Sequence, residues 1–269
     1  MISARNLRGE MPFLDHLEEL RWHILWSVVS VIVGAIIGFG LVYYFDVLEL
    51  LIEPVRVAAG DPTLKLQYLS PADSFFVTLR LAIYAGFIMA FPIVAYHVWS
   101  FLSPALDKRE RRLIVPALYL GMLLFIAGMA LAYYAALPVT LQFFQKFQTA
   151  SLQPNLEINA TLGFIVKLLM AFGVVFELPI VIMVLSMMGL VTPAFLREKR
   201  RHAIVIITVV ASFITPGDVV VLTAMMMVPL IFLYELGIFL SMLIYRGKAQ
   251  REKELEAELA APADSVELQ

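Results

Sequence analysis

The chain has 269 residues, 61% of them hydrophobic, a formal net charge of −2 and no cysteine. Its mean hydropathy of +0.86 and an apolar fraction well above the roughly 45–50% of soluble domains exclude a water-soluble globular protein. The lack of cysteine excludes disulfides, thiolate metal sites and a cysteine nucleophile.

The apolar residues form long uncharged runs, the pattern of a polytopic membrane protein. Residues 1–21 are a cytoplasmic, polar to amphipathic segment. Read as a helix, residues 13–21 place Phe13, Leu17, Leu20 and Ile24 on one face, to lie on lipid or on neighbouring helices. Asp15, Glu18, Glu19 and Trp22 fall on the other, a rim of three carboxylates. The first apolar run starts too late and is too long for a signal-peptide core, so it reads as a retained span over residues 22–45. Trp22 and Trp26 sit at one end of it and Tyr43 and Tyr44 at the other, as interfacial aromatics do.

Residues 46–72 read as a loop, opened by a short interfacial helix that ends at Pro54. The second span covers residues 73–102, with Arg80 near its start and Pro92 inside. Residues 103–112 are short and charged. The third span covers 113–137, and 138–160 reads as a second long loop with an amphipathic segment at 141–147. The fourth span, 161–190, carries Lys167, Glu177 and Pro179. After a basic loop, two short spans at 203–215 and 219–234 flank Thr215-Pro216-Gly217-Asp218, which suits a type II turn. Residues 235–245 continue along the interface, and the charged tail 246–269 is partly helical and otherwise disordered.

Basic residues set the orientation. Fifteen lie in the N-terminal segment, the 103–112 and 191–202 loops and the tail, against three in the opposite loops. The positive-inside rule then gives six spans with both termini cytoplasmic. The alternative is that the last two short spans form one re-entrant hairpin, which leaves the orientation unchanged. The shortness of these spans has two readings, misplaced boundaries or local bilayer thinning. The domain plan is 1–21 cytoplasmic, 22–245 membrane and 246–269 tail.

Glu177 lies near the centre of its span. There a charged carboxylate costs about 2.5–3.5 kcal/mol, so it must face protein or water, or be protonated. It reads either as interhelical glue or as a docking point for another helix or a substrate. Pro179 frees the carbonyl of Val175 beside it. Glu110 stands among Lys108, Arg109, Arg111 and Arg112, either balancing charge in a solvated loop or, with Glu19, offering two carboxylates that recognise guanidinium. No hydrolase, metalloprotease or phosphate-loop motif is present, and His16, His23, His97 and His202 look scattered. No enzyme activity, cofactor, metal or nucleic-acid partner is expected.

Five segments, in order, resemble the TatC family, the multi-spanning subunit of the twin-arginine protein translocase. They are residues 16–21 (His-Leu-Glu-Glu-Leu-Arg), 99–106 (Trp-Ser-Phe-Leu-Ser-Pro-Ala-Leu), 110–112 (Glu-Arg-Arg), 172–179 (Phe-Gly-Val-Val-Phe-Glu-Leu-Pro) and 215–218 (Thr-Pro-Gly-Asp). The resemblance implies an all-α membrane fold of six spans, both termini inside, forming a curved, glove-like bundle with two short final helices. It implies a receptor for the twin-arginine signal peptides of folded precursor proteins in the bacterial cytoplasmic (inner) membrane, acting in proton-motive-force-driven export. Glu19 and Glu110 would bind the arginines, with Arg21, Arg111 and Arg112 shaping the same patch. Glu177 would face single-span TatA/TatB-type subunits, and Pro54 and Asp218 would belong to the outer caps. A homo-oligomer within the complex, set in membrane lipid, is also implied. Many relatives carry a polar residue, often Gln, four positions after that Asp; here it is Leu222. Two alternatives stand beside this: an ion-coupled small-solute transporter using Glu177, and an assembly scaffold without a substrate site.

Overall fold

A computed structural model of the chain describes residues 13–105, 110–146, 156–214 and 220–260. Its helices are α1 (Phe13–Tyr44), α2 (Val47–Ala59), α3 (Asp73–Leu102), α4 (Ile114–Leu131), α5 (Leu137–Lys146), α6 (Ile158–Val175), α7 (Leu178–Met187), α8 (Pro193–Glu198), α9 (Arg200–Ile214) and α10 (Val220–Ala260). Among the described residues, five helical stretches are long and apolar enough to cross a membrane: His16–Tyr44, Asp73–Leu102, Arg111–Phe144, Ile158–Met187 and Met226–Gly247. The chain packs as two compact units. One comprises residues 1–118 and 148–166, the other 119–147 and 167–269.

In the first unit α1 lies along α3 at backbone contact. A methyl group on Gly38 would sit 2.8 Å from the Ala82 carbonyl oxygen, and one on Gly86 would sit 2.3 Å from the Ala35 nitrogen. Lipid tails are as apolar as leucine, so membrane helices gain little from burying leucine and associate instead through close approach at small residues. The rest of α1 is bare: Ile24, Val28, Ile32 and Ile36 are exposed, as a helix facing hydrocarbon requires. Past Tyr44 the chain turns at Asp46, whose φ of 46° is left-handed, and enters α2. The sequence placed the end of this helix at Pro54. It runs on to Ala59, where Gly60 closes it with φ 65°. The buried stripe Leu51, Ile52, Pro54 and Val55 explains the continuation, because tertiary packing on that face outweighs the proline. The loop before α3 is tied to the start of α6 by a two-bond bridge: Gln67 N–H donates to Leu156 O (2.9 Å) and Ile158 N–H to Gln67 O (2.8 Å).

In the second unit α4 and α6 interlock. Gly128 leaves room for Phe176, and Gly173 leaves room for the Phe125 ring. The start of the expected 138–160 loop is instead helix, as far as Lys146. Ala132–Ala136 form a π turn that leads straight into α5. Pro138 cannot donate to Tyr134, and a widened turn takes up the clash while the rod continues. The buried Thr140 hydroxyl donates to Ala136 O (2.6 Å).

The two final helices differ from the expectation of two short ones. The fifth predicted span is α9, whose 15 residues reach about 22 Å, less than a ~30 Å hydrocarbon core. The sixth is not short, because α10 runs 41 residues without a break, through Pro229 and the apolar segment to Ala260. Residues 235–245 and the start of the tail are therefore the same helix. Ser186 and Ser241, both fully buried, hydrogen-bond at 2.7 Å between α7 and α10. Near them the Tyr234 hydroxyl donates to Leu196 O (2.8 Å), the Tyr245 hydroxyl donates to Val191 O (3.2 Å), and Arg200 pairs with Glu235 at 2.7 Å. These bonds strap α8 and the start of α9 onto α10.

Candidate functional site

Glu19 occupies the first turns of α1. One helical turn before it lies His16 and one turn after it His23, so the three share one face. Glu19 Oε2 is 3.5 Å from His16 Nδ1, and Glu19 Oε1 is 3.8 Å from His23 Nε2. The Glu19 side chain is 30% exposed. Its Oε2 is turned inward and has no hydrogen-bond donor among the described residues.

Two residues of α3 complete this corner. Phe101 stacks on His16 with ring centroids 4.3 Å apart and planes 12° off parallel. His97 Nδ1 lies 3.1 Å from His23 Nδ1. Two ring nitrogens in contact need one proton between them, so one donates and the other accepts. With His97 as donor, His23 Nδ1 accepts, and its Nε2 lies on the side of Glu19, 3.8 Å from Oε1 and beyond hydrogen-bond reach.

This placement splits the expected rim of carboxylates. Glu18 is exposed, whereas Glu19 turns toward the α1–α3 seam, and the side with Leu17 and Ile24 is the open one. Arg21 belongs to that open side, beside Leu17, Leu20, Ile24 and Leu25 around a shallow hollow of about 480 Å³. It does not share Glu19's face. Glu110 starts a 3-10 turn, Glu110–Leu113, ahead of α4, and Arg111 and Arg112 on that turn are exposed. The side chain of Glu110 lies outside the described residues, as do Asp218 and its turn. Pro54 is buried within α2.

The histidines were the residues that sequence reading missed. The spacing of His16 and His23 about Glu19 was available; only the fold could add His97 and Phe101. Among the described residues no three His, Asp or Glu side chains are arranged to hold a metal ion.

Glu177 belongs to the second unit. Pro179 stops α6 from running through, so α6 ends at Val175 and α7 begins at Leu178. Glu177 sits in the joint. Its N–H donates to Val174 O (3.1 Å), and its carbonyl accepts from Ile180 (2.9 Å) and Val181 (3.0 Å). The joint turns its carboxylate toward α4, where Gly121 leaves the space: a methyl there would lie 2.9 Å from Oε2. Oε1 is buried and has no hydrogen-bond partner among the described residues. An unpartnered carboxyl oxygen inside an apolar span is costly, and such groups mark contact sites in membrane proteins.

At the far end of the first unit the charges are settled locally. Arg56 hydrogen-bonds Glu49, which holds the Glu49 carboxyl below its usual range and raises the guanidinium further. Glu157 accepts from the backbone N–H groups of Ala160 (2.6 Å) and Asn159 (2.9 Å), and these bonds lower its carboxyl pKa.

The family model described as "Sec-independent protein translocase protein (TatC)" matches residues 15–229. A Sec-independent protein translocase protein TatC from Aquifex aeolicus (strain VF5) is 36% identical over 247 residues, covering 90% of this chain and all of that protein. The Escherichia coli (strain K12) protein of the same name is 38% identical over 252 residues, 93% of this chain and 95% of that one. A crystal structure described as twin arginine translocase receptor TatC superposes with a TM-score of 0.70 at 36% identity, covering 86% of this chain and 99% of the other.

Proposed function

The chain belongs to the TatC family, and we propose that its work as a Sec-independent translocase subunit starts by binding twin-arginine signal peptides of folded precursors at the Glu19 corner. It is a multi-pass protein of the inner membrane. The observation that carries the binding reading is the Glu19 carboxylate, half-buried between His16 and His23 with an oxygen that no donor satisfies. A guanidinium supplies paired N–H donors in the geometry a carboxylate accepts, and an ammonium does not. Glu110 supplies the second carboxylate for the second arginine, with Arg111 and Arg112 bounding the patch.

In this reading α9 is a short fifth crossing, which makes six, and both termini are cytoplasmic because the basic loops are retained there. Single-span TatA/TatB-type subunits dock at Glu177, whose free oxygen takes a polar group from the incoming helix. Several copies of the chain assemble within the complex, and the proton-motive force drives export.

The test is direct binding of a labelled signal peptide to the purified protein, comparing Arg-Arg with Lys-Lys at two salt concentrations. Tight Arg-Arg binding, much weaker Lys-Lys binding, and at least a roughly thirtyfold loss in Glu19→Ala or Glu110→Ala are expected, since breaking a desolvated charge pair costs about 2–5 kcal/mol. Equal binding of both peptides, fading together with salt, overturns the assignment. Topology is checked separately in this cysteine-free chain. Single cysteines at Lys108 and Lys65 should react with an impermeant thiol reagent from opposite sides of the membrane.

A further inference from the structure

We propose that the first turns of α1 hold one phospholipid by its headgroup, on the side of the helix turned away from α3, through Arg21 and Glu18. The lipid is of the kind whose phosphate carries a primary ammonium group. The site stands apart from the Glu19 corner and needs only that α1 crosses the bilayer.

The face has the depth of one leaflet. Leu17, Arg21, Ile24, Val28 and Ile32 recur at steps of three and four, one stripe of the helix. All five are exposed. Glu19 and His23, which face α3, lie on the other side. From Arg21 to Ile32 the helix rises about 17 Å, close to the ~15 Å of one leaflet's hydrocarbon. After Arg21 no Asp, Glu, Lys or Arg follows until Asp46. The hollow of about 480 Å³ beside Arg21 continues down to Val28 and Val29. Trp22, also exposed, adjoins Arg21 in the chain. Tryptophans gather at headgroup level, so Arg21 stands at the depth of the lipid phosphates.

Charge selects the occupant. An uncharged helix laid on this stripe would bury the Arg21 guanidinium without an anion. A phosphodiester supplies one, in the paired hydrogen-bonding geometry a guanidinium favours. Glu18 then decides between headgroups. It is exposed one turn before Arg21, about 4.5 Å nearer the water and on the neighbouring side of the helix. Among the described residues neither side chain is ion-paired, with the other or elsewhere. A purely anionic headgroup sets its charge against Glu18. A quaternary ammonium has no N–H to donate. A primary ammonium, two carbons beyond its phosphate oxygen, reaches the Glu18 carboxylate while the phosphate stays on Arg21. The order carboxylate, guanidinium, apolar stripe thus mirrors ammonium, phosphate, acyl chain.

The experiment places the full chain in phosphatidylcholine nanodiscs with a trace of photoactivatable phosphatidylethanolamine, phosphatidylglycerol or phosphatidylcholine. All three probes carry the same diazirine acyl chain. Crosslinks are mapped by mass spectrometry at Leu25 and Val28, in the hollow, and at Ile36, exposed further along α1. Phosphatidylethanolamine should label the hollow about fivefold more than either other lipid, the scale of one surface charge contact, with no preference at Ile36. Glu18→Gln should remove its preference over phosphatidylcholine. Arg21→Gln should bring all three down to the level at Ile36. Both side chains are exposed, so the variants keep the fold, with equal melting in detergent as the control. Equal labelling by the three lipids means bulk lipid alone and overturns the proposal. A preference for phosphatidylglycerol, lost in Arg21→Gln and kept in Glu18→Gln, makes the site a plain anion site and overturns it. Labelling at Ile36 with none in the hollow means that protein, a second copy or another helix, covers the stripe, and overturns it as well. None of these outcomes bears on the receptor reading.

Discussion

Gly34 and Gly86 bring the backbones of α1 and α3 together: a methyl group on Gly34 would lie 2.5 Å from the Gly86 carbonyl oxygen. The crossing holds Glu19 and His23 on one helix against His97 and Phe101 on the other. Gly86→Ala is expected to destabilise the protein by about 1–3 kcal/mol through overpacking, because the obstacle is backbone and cannot swing away. Thermal unfolding in detergent, read by helical circular dichroism, checks the loss. A distance label across His23 and His97 should report separation of the helices.

The buried hydroxyls of Ser186 and Ser241 form a closed pair between α7 and α10. Removing one partner leaves the other unsatisfied or turned back to its own helix; removing both leaves no polar group behind. Ser186→Ala and Ser241→Ala should therefore each destabilise, and the double variant should cost less than their sum. A double-mutant cycle is expected to give a coupling of about 0.6–1.7 kcal/mol, the scale seen for hydrogen bonds between membrane helices. A coupling of zero would mean the bond contributes nothing to holding α10.

Gly121 and Glu177 test the intramembrane contact. Gly121→Ala puts a methyl group 2.9 Å from Glu177 Oε2. The carboxylate end of a side chain can move, so the fold should survive while the carboxyl is displaced. Recovery of single-span partners with purified complex should fall in Gly121→Ala and in Glu177→Ala alike. Glu177→Gln, which keeps a polar group at the site, should retain more partner than the alanine. Unchanged recovery in all three variants would remove Glu177 from the docking surface.

Acid should loosen the start of α6. Glu157 caps it through the Asn159 and Ala160 N–H groups, and those bonds lower its pKa below the ordinary 4.5. A carboxyl depressed in the folded state contributes stability above its unfolded pKa and loses it as pH falls through the folded value. The melting temperature should drop as pH is lowered through 4.5 and further into acid. Glu157→Gln should melt lower at neutral pH and show a shallower acid slope. Identical slopes for the two proteins would assign the acid sensitivity to other carboxylates.

Much of this protein could be read along the chain, for a physical reason. A bilayer demands long apolar runs, tolerates few charges within them and sorts basic loops to one side, so hydropathy and charge are local signals of membrane class and of most helices. Five ordered motifs carried the family resemblance, and the position of Glu177 beside Pro179 was visible from spacing alone. The tertiary structure decided where packing competes with a local rule. Pro54 and Pro138 look like helix ends in sequence, yet a buried stripe in α2 and a π turn before α5 carry the helices past them. The 41-residue continuity of α10 likewise has no local signature, because a charged tail can continue a helix as well as end one. Above all, period and spacing could put Glu19 beside His16 and His23, but not face that stripe toward α3. That depended on glycines 52 residues apart, Gly34 and Gly86, meeting across two helices, a contact between distant segments that neither helix specifies by itself.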